Sequence, residues 1–222
     1  MEHTFKAIDE ELAALHADIS AMGELAVTQL VWAVEAFLRK DREAAARIAL
    51  EDARLDEMDA DVERRAVRFI ALRQPMADDL RAPIAAMKVA MNLERCGDLA
   101  KNIAKRILQL KSAPDGAMAK GLGELGALVA TRLAEVMAAY RASDAEAARA
   151  VWEKDADVDA LHQKVFSQVL KAMSGDPASI HASIHLLFIT KNLERIGDHA
   201  TNIAELVCYQ ATGGELSDRP KG

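Results

Sequence analysis

An all-α protein of six long helices, arranged as two pseudo-symmetric three-helix bundles, is predicted by three features of this sequence. Apolar residues make up 51% of the chain but aromatics only 4%, and Pro (5) and Gly (11) are sparse among 222 residues. Ala and Leu are strong helix formers, and a β-rich chain would need more turn residues. Apolar positions recur at alternating spacings of three and four, the period of a helix with one buried face. Finally, Asn92-Leu-Glu-Arg-Cys-Gly-Asp-Leu-Ala-Lys-Asn-Ile-Ala104 returns as Asn192-Leu-Glu-Arg-Ile-Gly-Asp-His-Ala-Thr-Asn-Ile-Ala204, with ten of 13 positions identical. A duplicated supersecondary unit explains such self-similarity.

The elements follow in order. Phe5, Ile8, Leu12, Leu15, Ile19, Met22 and Ala26 form a coiled-coil-like seam that continues through Leu30, Val34 and Phe37, which predicts one helix over 5–38. Asp41 reads as the N-cap of a second helix with Leu55, Met58, Val62, Phe69 and Ile70 on its inner face. That helix stops at Gln74-Pro75, because proline lacks a donor and restrains the residue before it. A third helix runs over 76–111, followed by a linker over 112–116. The second half repeats the plan. A helix over 120–140 carries Leu122, Leu125, Val129, Val136 and Tyr140. Ser143 or Asp144 starts the next, which ends at the break over 174–177. The last, with Asp176 as N-cap and Pro177 at its first position, runs to about 211. The two repeats are thus 1–112 and 113–212, with 213–222 a disordered tail.

Charge and motif content exclude several classes. The net charge is −7, and no run of Lys or Arg could follow a phosphate backbone, so nucleic acid is not a partner. Cys96 and Cys208 lie inside apolar helical patterns and give no disulfide framework. No basic segment precedes an apolar run at the N-terminus, and no apolar stretch reaches the ~18 residues of a membrane span. The chain reads as cytoplasmic, meeting a membrane only through a partner. It has no phosphate-cradling glycine loop and no Ser-His-Asp or Cys-His arrangement, so it does not read as an enzyme.

What it has is carboxylates in matched positions. Asp52 pairs with Asp56 and Glu94 with Asp98 at a spacing of four in the first repeat; Asp155 with Asp159 and Glu194 with Asp198 do so in the second. Residues four apart share a helix face, and like charges there destabilise the helix unless a cation compensates. Counted from the turn at Gln74, Asp56 and Glu94 fall 18 residues before and 20 after, and Asp52 and Asp98 fall 22 before and 24 after. Counted from Gly175, the second repeat gives 16 and 19, then 20 and 23. Antiparallel packing therefore lets four carboxylates converge in each repeat. An all-oxygen set suits Mg²⁺, Ca²⁺, Mn²⁺ or ferric iron better than copper or zinc.

Asn102 and Asn202, one turn beyond Asp98 and Asp198, are placed to add amide oxygens or outer hydrogen bonds. Gly97 and Gly197 cost up to about 1 kcal/mol relative to Ala in mid-helix, which close helix approach or room for an ion would justify. Arg95 and Arg195 are candidates to neutralise the adjacent acids. Cys96 matches Ile196, so it reads as core rather than ligand. Asp159-Ala-Leu-His162 is similar to the carboxylate-x-x-His pattern of di-iron bundles. The first repeat, however, carries Asp59 at that place, so His162 is expected on a solvated surface and a di-iron oxidase is disfavoured. The competing reading of all the acids is a bare solvated face on a purely structural adaptor.

The paired Asn-Leu-Glu-Arg-x-Gly-Asp-x-Ala-x-Asn-Ile-Ala motifs, with Gln74-Pro-Met-Ala-Asp-Asp-Leu-Arg81 before the first, resemble the PhoU family, accessory regulators of bacterial phosphate uptake. The resemblance spans the chain up to its tail. It implies a PhoU-like fold of two three-helix bundles, and metal clusters of iron, zinc, manganese or magnesium held by Asp52, Asp56, Glu94 and Asp98 and by Asp155, Asp159, Glu194 and Asp198. It further implies a negative regulator that links the ATPase subunit of a phosphate transporter to a phosphate sensor histidine kinase, without catalytic turnover. The long apolar seams make a homodimer the expected assembly. The repeats are not identical: Lys154 stands opposite Glu51 and His162 opposite Asp59, so the second cluster is less acidic. Gln74–Arg81 has only a shortened counterpart, Asp176-Pro177, which confines the expected partner surface to the first repeat.

Overall fold

The computed structural model describes residues 2–50, 53–76, 78–110, 114, 116–175, 177–214 and 216. Among them the chain is all-α: α1 (Glu2–Arg39), α2 (Arg42–Leu50), α3 (Ala53–Arg73), α4 (Asp78–Gln109), α5 (Gly116–Ala142), α6 (Ala145–Glu153), α7 (Asp155–Gly175) and α8 (Ile180–Thr212). The six-helix plan is present, with the second helix of the second repeat divided into α6 and α7 at Lys154, which leaves the helix at φ −92°, ψ 9°. In the first repeat α2 and α3 lie on either side of residues 51 and 52, which are outside the described residues, as is most of the linker expected over 112–116.

The duplication extends to the turns. Lys40 and Ser143 adopt left-handed φ values of 59° and 52° at matching places. The next residue caps the following helix in each case: Asp41 Oδ1 accepts the Ala44 amide at 2.9 Å, and Asp144 Oδ1 the Ala147 amide at 3.0 Å. Each cap satisfies one of the helix's four orphan donors. The last helix starts later than the sequence suggests. Pro177–Ser179 form a 3₁₀ turn, a common lead-in to an α-helix, before α8 begins at Ile180. Asp176, the expected N-cap, is outside the described residues. At the far end Gly213, at φ 72°, closes α8 by donating to Tyr209 O at 2.8 Å. Leu216 beyond it is half-buried against the core, and the rest of the expected tail, 215 and 217–222, falls outside the described residues.

Within the first repeat α1, α3 and α4 pack together, with α2 on α4; within the second, α5, α7 and α8 do so, with α6 on α8. The repeats meet along α4 against α8 and α1 against α5. Both pairs run antiparallel: Asn92 meets His199 while Arg106 meets Phe188, and His16 stacks on Tyr140 while Val34 faces Gly126. The buried side chains of both repeats make one continuous cluster. Helix α1 is long and apolar enough to cross a membrane by composition, but Ile19, Met22, Ala26, Leu30 and Ala33 on it are fully buried against neighbouring helices. Here its apolarity serves the core. Arg42 ties the end of α4 by donating to the carbonyls of Leu108 at 2.7 Å and Leu110 at 2.9 Å.

Candidate metal centre

In the first repeat α3 presents Asp56 and Asp59, and α4 presents Glu94 and Asp98. Asp56 is exposed and the other three are half-buried. Burial raises the Glu94 pKa above the ordinary carboxylate value; Arg95 opposes this, while the charges of Asp98, Asp56 and Asp59 add to it. Asp59 is raised for the same first reason, with Glu63 and Asp56 adding and Arg95 opposing. The four acids therefore act on one another as a group. Arg95 neutralises part of it, with Nε 3.4 Å from Glu94 and Nη1 4.0 Å from Asp98. Asp52 lies outside the described residues.

The second repeat is built differently. Lys191 Nζ reaches Glu194 Oε1 at 2.6 Å, while Glu194 Oε2 is buried without a hydrogen-bond partner. His162 is not on a solvated surface: it is half-buried, and its Nε2 is also sealed from solvent with no partner. Burial lowers the His162 pKa; the charges of Glu194, Asp159 and Asp198 oppose this, while that of Lys191 adds to it. The position three residues after Asp159 turns the same way as Asp159 itself, which places His162 inward. Asp155 is buried and accepts the Thr201 hydroxyl at 2.7 Å. Thr201 occupies the place held by Lys101 in the first repeat, where Nζ lies 4.0 Å from Asp98.

The two mid-helix glycines serve close approach. A Cβ at Gly97 would lie 2.4 Å from Leu55 Cδ1, and one at Gly197 3.0 Å from Val158 Cγ1. Asn202 does not turn to the acids; its amide reaches Asn92 Oδ1 across the seam at 3.5 Å, beside His199 Nδ1 at 2.8 Å. Burial, then Arg195 and Arg95, lower the His199 pKa from the ordinary 6.5. On acidification the unfolded chain therefore takes up this proton first, and the stability the neutral ring contributes above pH 6.5 is lost as pH falls below it. A proton NMR titration of the His199 ring should give a midpoint below 6.5; one at or above it would contradict the burial argument.

The donors suit a cation. A carboxylate oxygen and an imidazole nitrogen, both buried without partners amid further acids, are costly unless something binds them. The first repeat offers oxygen alone, the second oxygen with nitrogen, which widens its range toward zinc and iron. Among the described residues, no three His, Cys, Asp or Glu side chains stand close enough to hold one ion. Asp59 and His162 are the residues the pairing argument left out. Their shared position in the two repeats, three after Asp56 and Asp159, was the available signal.

Known proteins repeat this architecture. The family profile described as the PhoU domain matches residues 19–107 and again 122–207. A phosphate-specific transport system accessory protein PhoU homolog of Caulobacter vibrioides (strain NA1000 / CB15N) is 49% identical over 222 residues, covering 99% of this chain and 96% of the relative. One of Zymomonas mobilis is 44% identical over 220 residues, 99% and 93% of the two chains. The crystal structure of the phosphate transport system regulatory protein PhoU from Streptococcus pneumoniae superposes with a TM-score of 0.88 at 30% identity, over 95% of this chain and 99% of that one. PhoU from Pseudomonas aeruginosa gives 0.88 at 33% identity, over 93% and 99%.

Proposed function

This chain belongs to the PhoU family, and from that premise we propose that it is a non-enzymatic accessory regulator of phosphate transport: a helical adaptor that represses the phosphate-starvation response and restrains uptake. The observation that carries the reading is the match over both repeats and nearly the full length of relatives named as phosphate-specific transport system accessory proteins. The adaptor would dock in the cytoplasm on the ATPase subunit of the phosphate transporter and on the sensor histidine kinase, reaching the membrane only through them. The rigidity of one continuous core supports a docking role, since a surface held fixed loses little entropy on binding. Residues 1–112 and 113–212 are its two repeats, with the profile matches inside them. Ile180, Ile184 and Phe188, at four-residue spacing on α8 and each more than 40% exposed, support the homodimer.

Metal binding is part of this reading. Asp52, Asp56, Glu94 and Asp98, joined by Asp59, would hold one cluster; Asp155, Asp159, Glu194 and Asp198, joined by His162, the other. A bound cation would supply charge neutralisation for acids that otherwise repel, fixing α3 on α4 and α7 on α8. The residues themselves prepare that state: α4 and α8 hold their glutamates half-buried, and Gly97 and Gly197 let the partner helices close on them.

Deleting the gene in the bacterium that carries it tests the regulatory reading. Alkaline phosphatase should run high in phosphate-rich medium and return to its repressed level when the gene is restored. Repression unchanged by the deletion would refute the reading for this chain.

A further inference from the structure

The seam between α4 and α8 opens into a cavity of about 680 Å³. Its polar floor is held fixed: Asn92, 7% exposed, accepts from His199 at 2.8 Å and from Asn202 at 3.5 Å, and donates to the Lys88 carbonyl at 2.7 Å. Lys88 stands at the rim, while Met91, Leu206 and Leu216 supply apolar wall. Glu205 also lines the cavity, and the Trp152 indole donates to its Oε1 at 3.0 Å.

The duplicated sequence provides an internal control. One hundred residues apart, Lys88 corresponds to Phe188, Leu206 to Arg106 and His199 to Leu99. At the corresponding place on the seam the Arg106 guanidinium lies 4.1 Å from the centroid of the Phe188 ring. That cation–π pair occupies the space with side chains from the same two helices. The packing of α4 on α8 thus does not demand an opening. The chain fills one copy of the position with a stacked pair and leaves the other as a concavity with a few fixed polar groups and apolar walls, the usual make-up of a small-molecule site.

We propose that this cavity binds a small organic anion, its single negative group at Lys88 and a flat or apolar body against Met91, Leu206 and Leu216. One anionic group is specified because, among the described residues, Lys88 is the one Lys or Arg on the cavity wall, and Glu205 would repel a polyanion. The site contains none of the proposed metal ligands, so it stands or falls apart from the metal reading.

The probe is 8-anilinonaphthalene-1-sulfonate, one sulfonate on a flat apolar body, titrated into the full chain by fluorescence. Saturable binding is expected. Lys88→Phe with Leu206→Arg transplants the pair that the fold already accommodates at the other copy, and should weaken the dye at least about tenfold, or about 1.4 kcal/mol. Should that double variant lose its helical circular dichroism, Lys88→Glu at the exposed rim serves instead. It should weaken the dye about tenfold and leave the uncharged dye Nile red bound as before. Unaltered sulfonate binding in these variants would overturn the proposal and place the dye on exposed apolar residues such as Ile180 and Ile184.

Discussion

Changing His162 to Ala together with Glu194 to Ala should abolish metal binding in the second repeat and leave the first repeat's metal in place. In the metal-free protein the change should be neutral or stabilising, because it removes two buried polar atoms that have no partner and one acid among several. With metal present the order should reverse. A ligand at 100 times its Kd stabilises the folded state by about 2.7 kcal/mol. At about 2–4 °C per kcal/mol for a chain of this size, that is a melting-temperature gain of about 5–10 °C. The variant should lose the part of this gain that the second repeat supplies. Elemental analysis and thermal denaturation, with and without added Fe²⁺, Mn²⁺ or Zn²⁺, measure both quantities. A protein that takes up no metal, and whose melting temperature ignores it, would leave the acids as a bare helical face.

The sequence carried the fold well because its signals are local and doubled. The three-and-four spacing from Leu15 to Phe37 runs down one buried face of α1. The Asp41 and Asp144 caps, 103 residues apart, begin helices in both repeats. The break at Lys154 has no sequence marker, because the run from Ala145 to Val158 holds no Gly or Pro. The candidate site was legible only in part. Spacing of four finds the carboxylates, but it fixes a helix face and says nothing about depth, so it does not reveal that His162 is half-buried. Nor can periodicity within a helix reveal what lies across a seam. Spacing alone groups Asn202 with the acids of its own helix, yet it faces Asn92 on α4. His199, whose counterpart is Leu99, carries no repeat signal, yet it lies closer to Asn92 Oδ1, at 2.8 Å, than Asn202 does at 3.5 Å.

The seam between α1 and α5 invites a test in which the same chemical change meets two different neighbours. Gly23 and Gly126 are counterparts, and so are the residues they receive, Met137 and Val34. A Cβ at Gly126 would lie 2.6 and 2.8 Å from the two Val34 methyls and 3.3 Å from Val34 Cβ. Valine has one strongly preferred rotamer in a helix, and its Cβ cannot swing away at all, so α1 and α5 must part. Overpacking of this kind costs about 1–3 kcal/mol, offset by up to about 1 kcal/mol because alanine favours helix over glycine. Gly126→Ala should therefore destabilise by about 1–2 kcal/mol net. A Cβ at Gly23 would approach Met137 Cε at 2.4 Å and Cγ at 2.8 Å, nominally as close. Methionine, however, has three rotatable bonds and can withdraw its tip, so Gly23→Ala should cost clearly less. Adding Val34→Ala to Gly126→Ala removes both offending methyls and should recover about 1 kcal/mol in a double-mutant cycle. Urea midpoints at constant slope supply all four corners of that cycle. Equal losses at the two glycines, or additive effects of Val34→Ala and Gly126→Ala, would mean that the helices yield as rigid bodies and that the stiffness of the facing side chain does not govern the seam.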